Sequence, residues 1–340
     1  MNQPVVSIVV PCYDESETVP IFVQKVSDII SELQDENLIS KDSFILFVDD
    51  GSTDNTWALI ERYANLNKQI YGIRLTKNFG QQNALMAGYR NAHIASDVII
   101  SMDVDLQDDP NAIRDMILKH LEGYDVVYGV RSSRDKDKWF KRKTSFLFYK
   151  IMRRLGVHII PDHAHYRLLS KKAVTALLRF EERNLFLQGI IPMLGLNQTV
   201  VYYKRNERSA GKSKYNLRKL VESALEGITS FTTIPLRFIT IAGTSMLFNS
   251  LLMGVYSLGS KVLGLAYQGW TSIMLSLWFI GGILTLSLGI IGEYIGKIYI
   301  ETKKRPRYFV KEKIFPFGGD KNNAKYSSKY SSVSDYNHNG

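Results

Sequence analysis

Two aspartates separated by one residue follow a strongly apolar segment, and they are the residues best suited to chemistry. Asp103 and Asp105 come directly after the predicted strand Val98–Met102. Paired carboxylates at the end of a strand can share a divalent cation, and Mg²⁺ or Mn²⁺ prefers oxygen ligands while keeping positions open for substrate phosphates. An Asp-x-Asp pair also occurs in ordinary solvated loops, so the pattern alone leaves both interpretations open.

Two further polar clusters follow predicted strands. Pro11–Glu15 follows the strand Val5–Val10, and Asp49–Ser52 follows the strand Phe44–Val48. Because ligands bind beyond the carboxyl ends of strands in open α/β sheets, the three clusters are expected to converge on one edge. Ordinary turn chemistry would explain the first cluster alone. Neither G-x-G-x-x-G nor G-x-x-x-x-G-K-[ST] occurs, so a dinucleotide-binding fingerprint and a P-loop are unsupported.

Strands and helices alternate over the first 130 residues, which predicts a doubly wound, mainly parallel sheet. The predicted strands are Val5–Val10, Phe44–Val48, Ile70–Leu75, Val98–Met102 and Val126–Tyr128. The predicted helices are Glu17–Asp35, Thr53–Leu66, Gln81–Ala95 and Asn111–Glu122. The stretch 131–230 is expected to be more helical, with one strand at Gln198–Lys204.

Positive charge is concentrated in one part of the chain. The net charge is +10, and segment 131–154 holds ten Lys and Arg residues against two Asp. Such a concentration indicates an anionic partner, namely nucleic acid, lipid head groups or a phosphate substrate, unless the segment is only a solvated basic face. Cys12 is the only cysteine, which excludes an internal disulfide and a cysteine-based zinc site.

Two apolar segments near the C-terminal end are long enough to cross a bilayer. Phe238–Leu258 and Trp270–Ile291 contain no charged residue over 21 and 22 positions. The connector between them holds one basic residue, Lys261, whereas the outer flanks hold several. The positive-inside rule therefore predicts two spans, with the large domain and both termini cytoplasmic.

Eight ordered motifs then make the chain resemble a known family. They are SIVVPCYDE, VDDGSTDNT, LTKNFGQQNALMAGY, MDVDLQDDP, YGVRSSR, ERSAGKSKY, SFTTIPLR and IGEYIGKIYIETKKRPRY, and they cover most of residues 5–310. The chain is similar to inverting family 2 glycosyltransferases of the polyprenyl-phosphate type, such as dolichol-phosphate mannose synthase and bactoprenol glucosyltransferases.

The resemblance implies a GT-A fold, a Rossmann-like α/β domain that binds a nucleotide sugar at the ends of the first strands. The implied nucleotide-sugar contacts are Pro11, Tyr13, Glu15, Asp49, Asp50, Lys77 and Asp103. The implied ligands of Mg²⁺ or Mn²⁺ are Asp103 and Asp105, with Gln107 close by as a further catalytic residue. The metal would offset the charge that grows on the departing diphosphate.

The acceptor in that family is a polyprenyl phosphate, whose head group must be drawn to the site. Basic side chains suit this task because guanidinium groups can grip phosphate oxygens bidentately. The candidates for acceptor binding are Arg131, Arg134, Lys141, Arg142, Ser145, Arg208 and Lys214. Arg208 and Lys214 could instead close over the donor diphosphate, and binding to anionic lipids is the alternative for both.

One position departs from the family pattern. The family commonly has an acidic residue in a D-[FY]-R-L-type element, and here His165 stands in its place. The nucleophile is a phosphate oxygen that is already anionic, so positioning and charge stabilisation can replace a strong base. His165 could hydrogen-bond the phosphate, Asp162 could substitute for the missing acid, or activity could be impaired.

The predicted organisation has four parts. A cytoplasmic GT-A domain covers residues 1–236, with juxtamembrane helices from about 212, and a two-helix transmembrane hairpin covers 237–300. A cytoplasmic juxtamembrane segment covers 301–318, and a disordered tail covers 319–340. The expected partners are the UDP-sugar, the polyprenyl phosphate and the bilayer, without nucleic acid; a homo-oligomer is left open.

The predicted function is inverting transfer of one hexose or N-acetylhexosamine, with glucose or N-acetylglucosamine preferred, from a UDP-sugar to undecaprenyl phosphate. The β-linked product would serve the modification of a cell-envelope glycan. A catalytically impaired scaffold or accessory subunit that kept the fold is the alternative. A processive polysaccharide synthase is disfavoured, because the chain has no Q-x-x-R-W element and too few predicted spans for a channel.

Replacement of one carboxylate tests the metal prediction. Asp105→Asn is expected to abolish sugar transfer while the fold is kept, because an amide cannot supply the negative charge that a divalent cation requires. Turnover with the purified variant and its circular dichroism spectrum measure the two effects. Near-normal turnover would contradict the assignment of Asp105 to the metal.

Overall fold

The computed structural model describes residues 3–132, 163–183, 186–204 and 269–314, together with separate positions within 236–256. The strands are β1 (Val6–Cys12), β2 (Phe44–Asp49), β3 (Ile70–Leu75), β4 (Val98–Ser101), β5 (Val126–Arg131), β6 (His163–Ser170), β7 (Gln198–Tyr203) and β8 (Val310–Ile314). The helices are α1 (Val19–Asp35), α2 (Thr56–Leu66), α3 (Gln81–Ala95), α4 (Ala112–Leu121), α5 (Lys171–Leu177), α6 (Leu187–Met193) and α7 (Trp270–Thr302).

One sheet contains all of these strands, in the order β7-β5-β6-β4-β1-β2-β3-β8. Strands β4, β1, β2 and β3 are parallel neighbours, as are β5 and β7, whereas β6 and β8 run antiparallel to their partners. The central strands β1 and β2 are apolar and buried along their whole length, as expected when helices cover both faces of a parallel sheet. The predicted doubly wound α/β sheet is therefore confirmed.

The helices divide between the two faces according to the core clusters they join. Apolar side chains of α1, α2 and α4 lie in one cluster, whereas those of α3, α5 and α6 lie in the other. Helix α3 approaches β1 closely, because a Cβ added at Gly88 would lie 2.3 Å from Cγ1 of Val9. The middle of α3 therefore packs tightly on the sheet, while its first residue, Gln81, bonds Asp103 beyond the carboxyl end of β4.

All six predicted strands occur, but β6 was not predicted. The segment 163–170 lies in a stretch expected to be helical, and it instead pairs with both β4 and β5. Residues 166–170 are all buried, including the long side chain of Arg167, so this part of the strand is covered on both faces. Composition therefore disfavoured a strand that tertiary packing stabilises.

Strand β8 is the second unpredicted strand. It lies within the segment 301–318, which was expected to be juxtamembrane, and it pairs antiparallel with β3 at the edge of the sheet. Residues that follow α7 in the chain thus belong to the same sheet as β1. Local pattern does not indicate this strand, because three of its five residues are charged.

Helix α7 carries exposed apolar side chains along most of its length. Its 33 residues would span about 50 Å. Leu277, Phe279, Leu286, Leu288 and Ile298 are each more than half exposed. Among the described residues, one segment, Phe279–Thr302, is long and apolar enough to cross a membrane, and none of its most apolar window is buried. An exposed apolar surface of this kind is typical of an interaction with a membrane or with another protein.

Candidate active site

The three polar clusters predicted from the sequence meet at one edge of the sheet. Because β4, β1 and β2 are parallel neighbours, the loops after their carboxyl ends leave the sheet side by side. The loops after β1 and β2 are hydrogen-bonded to each other. The backbone N–H of Asp14 donates to Oγ of Ser52 at 2.9 Å, and the N–H of Thr53 donates to the Asp14 carboxylate at 2.8 Å. The predicted convergence is confirmed.

The loop after β4 alternates between buried and partly exposed residues. Met102, Val104 and Leu106 are buried, and Asp103 and Asp105 between them are partly exposed. Leu106 has a φ of 56°, which is uncommon for a residue other than glycine, and burial of its side chain stabilises this conformation. The apolar residues therefore anchor the loop and leave both carboxylates only partly exposed.

Asp103 is held by helix α3 and repelled by its acidic neighbours. Nε2 of Gln81, the first residue of α3, donates to Oδ1 of Asp103 at 2.7 Å. Burial, followed by the nearby carboxylates of Asp108 and Asp105, raises the pKa of Asp103 to about 7. Its ionised form is therefore costly in the protein alone, and a cation beside it would stabilise that form.

The donor set fits a divalent cation that is shared with a phosphate. Oδ1 of Asp105 accepts a hydrogen bond from the backbone N–H of Gln107 at 3.2 Å. No group of three or more His, Cys, Asp or Glu side chains arranged to hold a metal occurs among the described residues. Mg²⁺, however, is usually bound through one or two carboxylates, with water and substrate phosphates as the other ligands. Asp103 and Asp105 are the residues that would hold it.

The far end of the same loop is fixed by strands β5, β6 and β7. The buried carboxylate of Asp108 accepts hydrogen bonds from Nη2 of Arg131 at 3.2 Å and from the Tyr203 hydroxyl. The hydroxyl of Tyr166 donates to the carbonyl of Asp109 at 3.0 Å. Burial disfavours the charged guanidinium of Arg131, but the adjacent Asp108 carboxylate raises the pKa of Arg131 above its ordinary value. Arg131 is therefore a positively charged anchor of this loop, residues 102–109, which we call the aspartate loop.

This ion pair adds a role that the sequence did not indicate for Arg131. The residue was predicted to bind the acceptor phosphate, and that prediction is not tested by its contact with Asp108. The other predicted acceptor residues lie outside the described residues; they are Arg134, Lys141, Arg142, Ser145, Arg208 and Lys214.

Asp49 and Asp50 are buried and hold loops in place. Oδ1 of Asp49 accepts from the backbone N–H of Ser52 at 3.0 Å, and Oδ2 lies 3.3 Å from Nε of Arg74. The two oxygens of Asp50 accept from the N–H groups of Phe79 and Gly80 at 2.8 and 2.9 Å. Burial raises the pKa of both carboxyls, that of Asp50 to about 6. Their expected contact with the nucleotide stays a prediction, whereas their support of the surrounding loops is observed.

The remaining predicted donor contacts surround this edge. Pro11 is buried in β1, whereas Tyr13 and Glu15 are partly exposed in the loop that follows. Glu15 accepts a hydrogen bond from the hydroxyl of Thr18 at 3.0 Å. Lys77 is exposed and follows β3. Its backbone lies so close to Gly51 that a Cβ added at Gly51 would be 2.4 Å from the carbonyl carbon of Lys77. Gly51, with a φ of 72°, is therefore required for the approach of the two loops.

His165 lies in β6, next to the strand end that carries the aspartates. Its carbonyl accepts from Oγ of Ser101 at 2.6 Å, and its Nδ1 lies 3.4 Å from Nη2 of the buried Arg167. A guanidinium can only donate, so Nδ1 accepts and Nε2 carries the proton in this arrangement. The imidazole can therefore act as a hydrogen-bond donor near the site.

Several residues that shape the site were missed by sequence reasoning. Gln81 lies within a motif that carries the family resemblance, but its partner Asp103 is distant in the chain. Asp108 continues the alternation of the aspartate loop, which could have indicated its burial. Nothing local points to Tyr203, because it acts on Asp108 from another strand. Arg167 belongs to the D-[FY]-R-L-type element, but its complete burial follows only from the packed sheet.

Comparison with known proteins agrees with this geometry. Residues 7–178 match the family model described as glycosyl transferase family 2. The uncharacterized glycosyltransferase YkoT of Bacillus subtilis is 47% identical over 309 residues, which cover 91% of this chain and 92% of that protein. The bactoprenol glucosyl transferase of Shigella phage SfX is 39% identical over 310 residues, which cover 91% of this chain and 99% of that protein.

A solved structure with a similar fold is the mannosyltransferase PcManGT from Pyrobaculum calidifontis, in complex with GDP-Man and Mn²⁺. The matched region covers 87% of this chain and 85% of that mannosyltransferase, with 18% sequence identity and a TM-score of 0.47. That similarity is too low to support an argument about ligands. The sheet described above and the family match together establish the GT-A, Rossmann-like α/β fold that the resemblance implied.

The raised pKa of Asp103 predicts how Mn²⁺ binding depends on pH. With a pKa of about 7, the carboxyl is protonated at lower pH, and the proton must leave before a metal binds. The dissociation constant for Mn²⁺ should therefore increase by up to about tenfold for each unit below neutrality and level off above it. Electron paramagnetic resonance titration of the full-length protein measures this dependence.

Asp103→Asn is the control for this titration. This variant should bind Mn²⁺ more weakly, and its Mn²⁺ affinity should lose the pH dependence that Asp103 causes. An affinity of the unaltered protein that stays constant from about pH 6 to about pH 8 would contradict the link between Asp103 and the metal.

Proposed function

Because the chain belongs to glycosyltransferase family 2, we propose that it transfers a single hexose or N-acetylhexosamine from a UDP-sugar to undecaprenyl phosphate. The preferred sugars are glucose and N-acetylglucosamine, and the β-linked product supplies a later step of cell-envelope glycan modification. The observation that carries the proposal is the pair of partly exposed carboxylates, Asp103 and Asp105, at the carboxyl edge of the sheet. The choice of acceptor is supported by the similarity to a bactoprenol glucosyl transferase.

The residues of this chain suit a direct displacement at the sugar. A divalent cation, when bound by Asp103 and Asp105, would neutralise charge on the leaving diphosphate. Gln81 orients one of these carboxylates, while Arg131 and Tyr203 fix the other end of their loop. The loop is thus organised before the substrate arrives, which favours charge stabilisation during the reaction.

The acceptor needs little help from a base. A phosphate oxygen is already anionic near neutral pH, so the chain must chiefly bring it to the sugar and orient it. His165 can donate from Nε2 to a phosphate oxygen, and Arg131 adds positive charge nearby. Attack from the face opposite the leaving group would invert the anomeric centre.

Five basic residues and one serine outside the described part of the chain complete the proposed acceptor site. Arg131 supplies one guanidinium, part of which holds Asp108. A guanidinium has five N–H donors, so it can hold a carboxylate and a phosphate at the same time. The proposed partners of Arg131 are Arg134, Lys141, Arg142, Ser145, Arg208 and Lys214.

The membrane would bring the lipid acceptor to the site. Helix α7 exposes apolar side chains and is followed directly by Lys303, Lys304 and Arg305. These charges suit the cytoplasmic head-group region. We propose two spans, over Phe238–Leu258 and Trp270–Ile291, with the catalytic domain and both termini on the cytoplasmic side.

Donor and acceptor can be tested with purified full-length protein in detergent. Undecaprenyl phosphate and Mn²⁺ or Mg²⁺ are supplied with radiolabelled UDP-glucose, UDP-N-acetylglucosamine, UDP-galactose or GDP-mannose in separate reactions. Lipid-soluble label is expected from UDP-glucose or UDP-N-acetylglucosamine, and chelation of the metal should remove it. Nuclear magnetic resonance of the product should show a β-linkage.

Asp105→Asn serves as the matched blank for this assay. Label from GDP-mannose alone would contradict the UDP-sugar assignment. No label from any donor, with nucleotide binding intact, would instead favour the non-catalytic scaffold, and His165→Asp would then test whether the missing acid is the cause.

A further inference from the structure

Strand β8 brings a carboxylate from beyond the membrane helix to the nucleotide end of the proposed site. Its antiparallel pairing with β3 places Glu312 directly opposite Arg74. Oppositely charged residues at such positions are close enough to interact. Arg74 also faces Asp49, which lies at the end of β2. A short chain of charges therefore connects the C-terminal segment with the loop after β2.

Both oxygens of the Glu312 carboxylate are engaged. Oε2 accepts a hydrogen bond from Nε1 of Trp57 at 2.9 Å, and Oε1 accepts one from Nη1 of Arg74 at 3.2 Å. Trp57 belongs to α2 and is itself buried in the core. The indole fixes the orientation of Glu312, and Glu312 in turn fixes one end of the guanidinium.

The other end of the guanidinium supports Asp49. Nε of Arg74 lies 3.3 Å from Oδ2 of Asp49, and Nη2 lies 3.5 Å from the carbonyl of Ser52. Asp49 is completely buried, and its second oxygen accepts from the N–H of Ser52. A buried carboxylate requires a charged or hydrogen-bonding partner, so the position of Arg74 determines how this loop is held.

A second contact links the C-terminal segment with the loop after β3. The carbonyl of Phe309 accepts from the N–H of Thr76 at 3.0 Å, and its ring centre lies 6.3 Å from that of Phe79. The N–H of Phe79 donates to Asp50. Residues 309–312 therefore contact the loop after β3 directly and reach the loop after β2 through Arg74. Nucleotide contacts are assigned to both of these loops.

We infer that Glu312 is a positioning residue of the nucleotide-binding site, acting through Arg74 on Asp49. The inference rests on the proposed function, since it concerns the same donor site. A strand that only closed the edge of the sheet would need backbone pairing and no particular charge at this position. The cross-strand carboxylate, bonded to both the indole and the guanidinium, instead gives the segment after α7 a part in nucleotide recognition.

Titration of UDP in the presence of Mn²⁺ tests this inference, using the full-length protein in detergent. Glu312→Gln keeps the size of the side chain and an oxygen that can accept from Trp57, but it removes the charge that holds Arg74. The dissociation constant for UDP should increase by about threefold to tenfold. In the transfer assay, the KM for the UDP-sugar should increase by a similar factor, with the KM for undecaprenyl phosphate unchanged.

Glu36→Gln is the matched control. Glu36 pairs with Arg114 at 2.6 Å on a surface formed by the ends of α1 and α4, and it makes no described contact with the donor site. Glu36→Gln removes one negative charge from a glutamate–arginine pair, as Glu312→Gln does. The dissociation constant for UDP should be unchanged in this control. Trp57→Phe is a second variant that removes one anchor of Glu312, and it should weaken UDP binding in the same direction.

The outcomes separate this inference from the proposed function. Unchanged UDP affinity in both Glu312→Gln and Trp57→Phe would overturn the positioning role, even if thermal stability fell. Equal increases in both KM values would overturn it as well, because they would indicate a general loss of structure. If the unaltered protein bound no UDP, the proposed UDP-sugar donor would be wrong, and the inference would fall with it.

Discussion

Repulsion among carboxylates at one edge of the sheet is the constraint on which the rest of the structure depends. Each buried acid has its own compensation: Asp49 has an arginine, Asp50 has two backbone N–H groups, and Asp108 has an arginine and a tyrosine. Asp103 is bonded by an amide, which carries no charge, and its pKa is raised to about 7, compared with about 6 for Asp50. The negative potential that is left over is thus concentrated on Asp103 and Asp105, where a cation is most useful.

The compensating groups come from distant parts of the chain. Arg131 ends β5, Tyr203 ends β7 and Glu312 lies in β8, so the aspartates and their loops depend on strands at both sides of the sheet. Antiparallel β6 joins the two parallel parts and places His165 and Arg167 beside β4. The fold therefore does more than display loops, because the edges of the sheet provide the charges that the centre requires.

Sequence and structure agree where local pattern determines the outcome. Apolar runs predicted the central strands, and the strand-end positions of Asp49 and Asp103 predicted their convergence. Strand β6 escaped prediction because a buried arginine and two histidines interrupt the apolar run that a strand buried on both faces usually has. The pairs between Asp108 and Tyr203, and between Arg74 and Glu312, join residues far apart in the chain, so no local signal could reveal them. For the same reason, the complete burial of Asp49 follows only from the packed fold.

The order of the strands also has a consequence for how the protein is made. The edge of β3 is covered by β8, which leaves the ribosome only after α7. Until then, β3 is paired only with β2 and its other edge is open. Open edges of this kind can recruit strands from other molecules and promote aggregation. Synthesis of α7 therefore precedes closure of the sheet. A chain that stops before residue 310 would retain this open edge permanently.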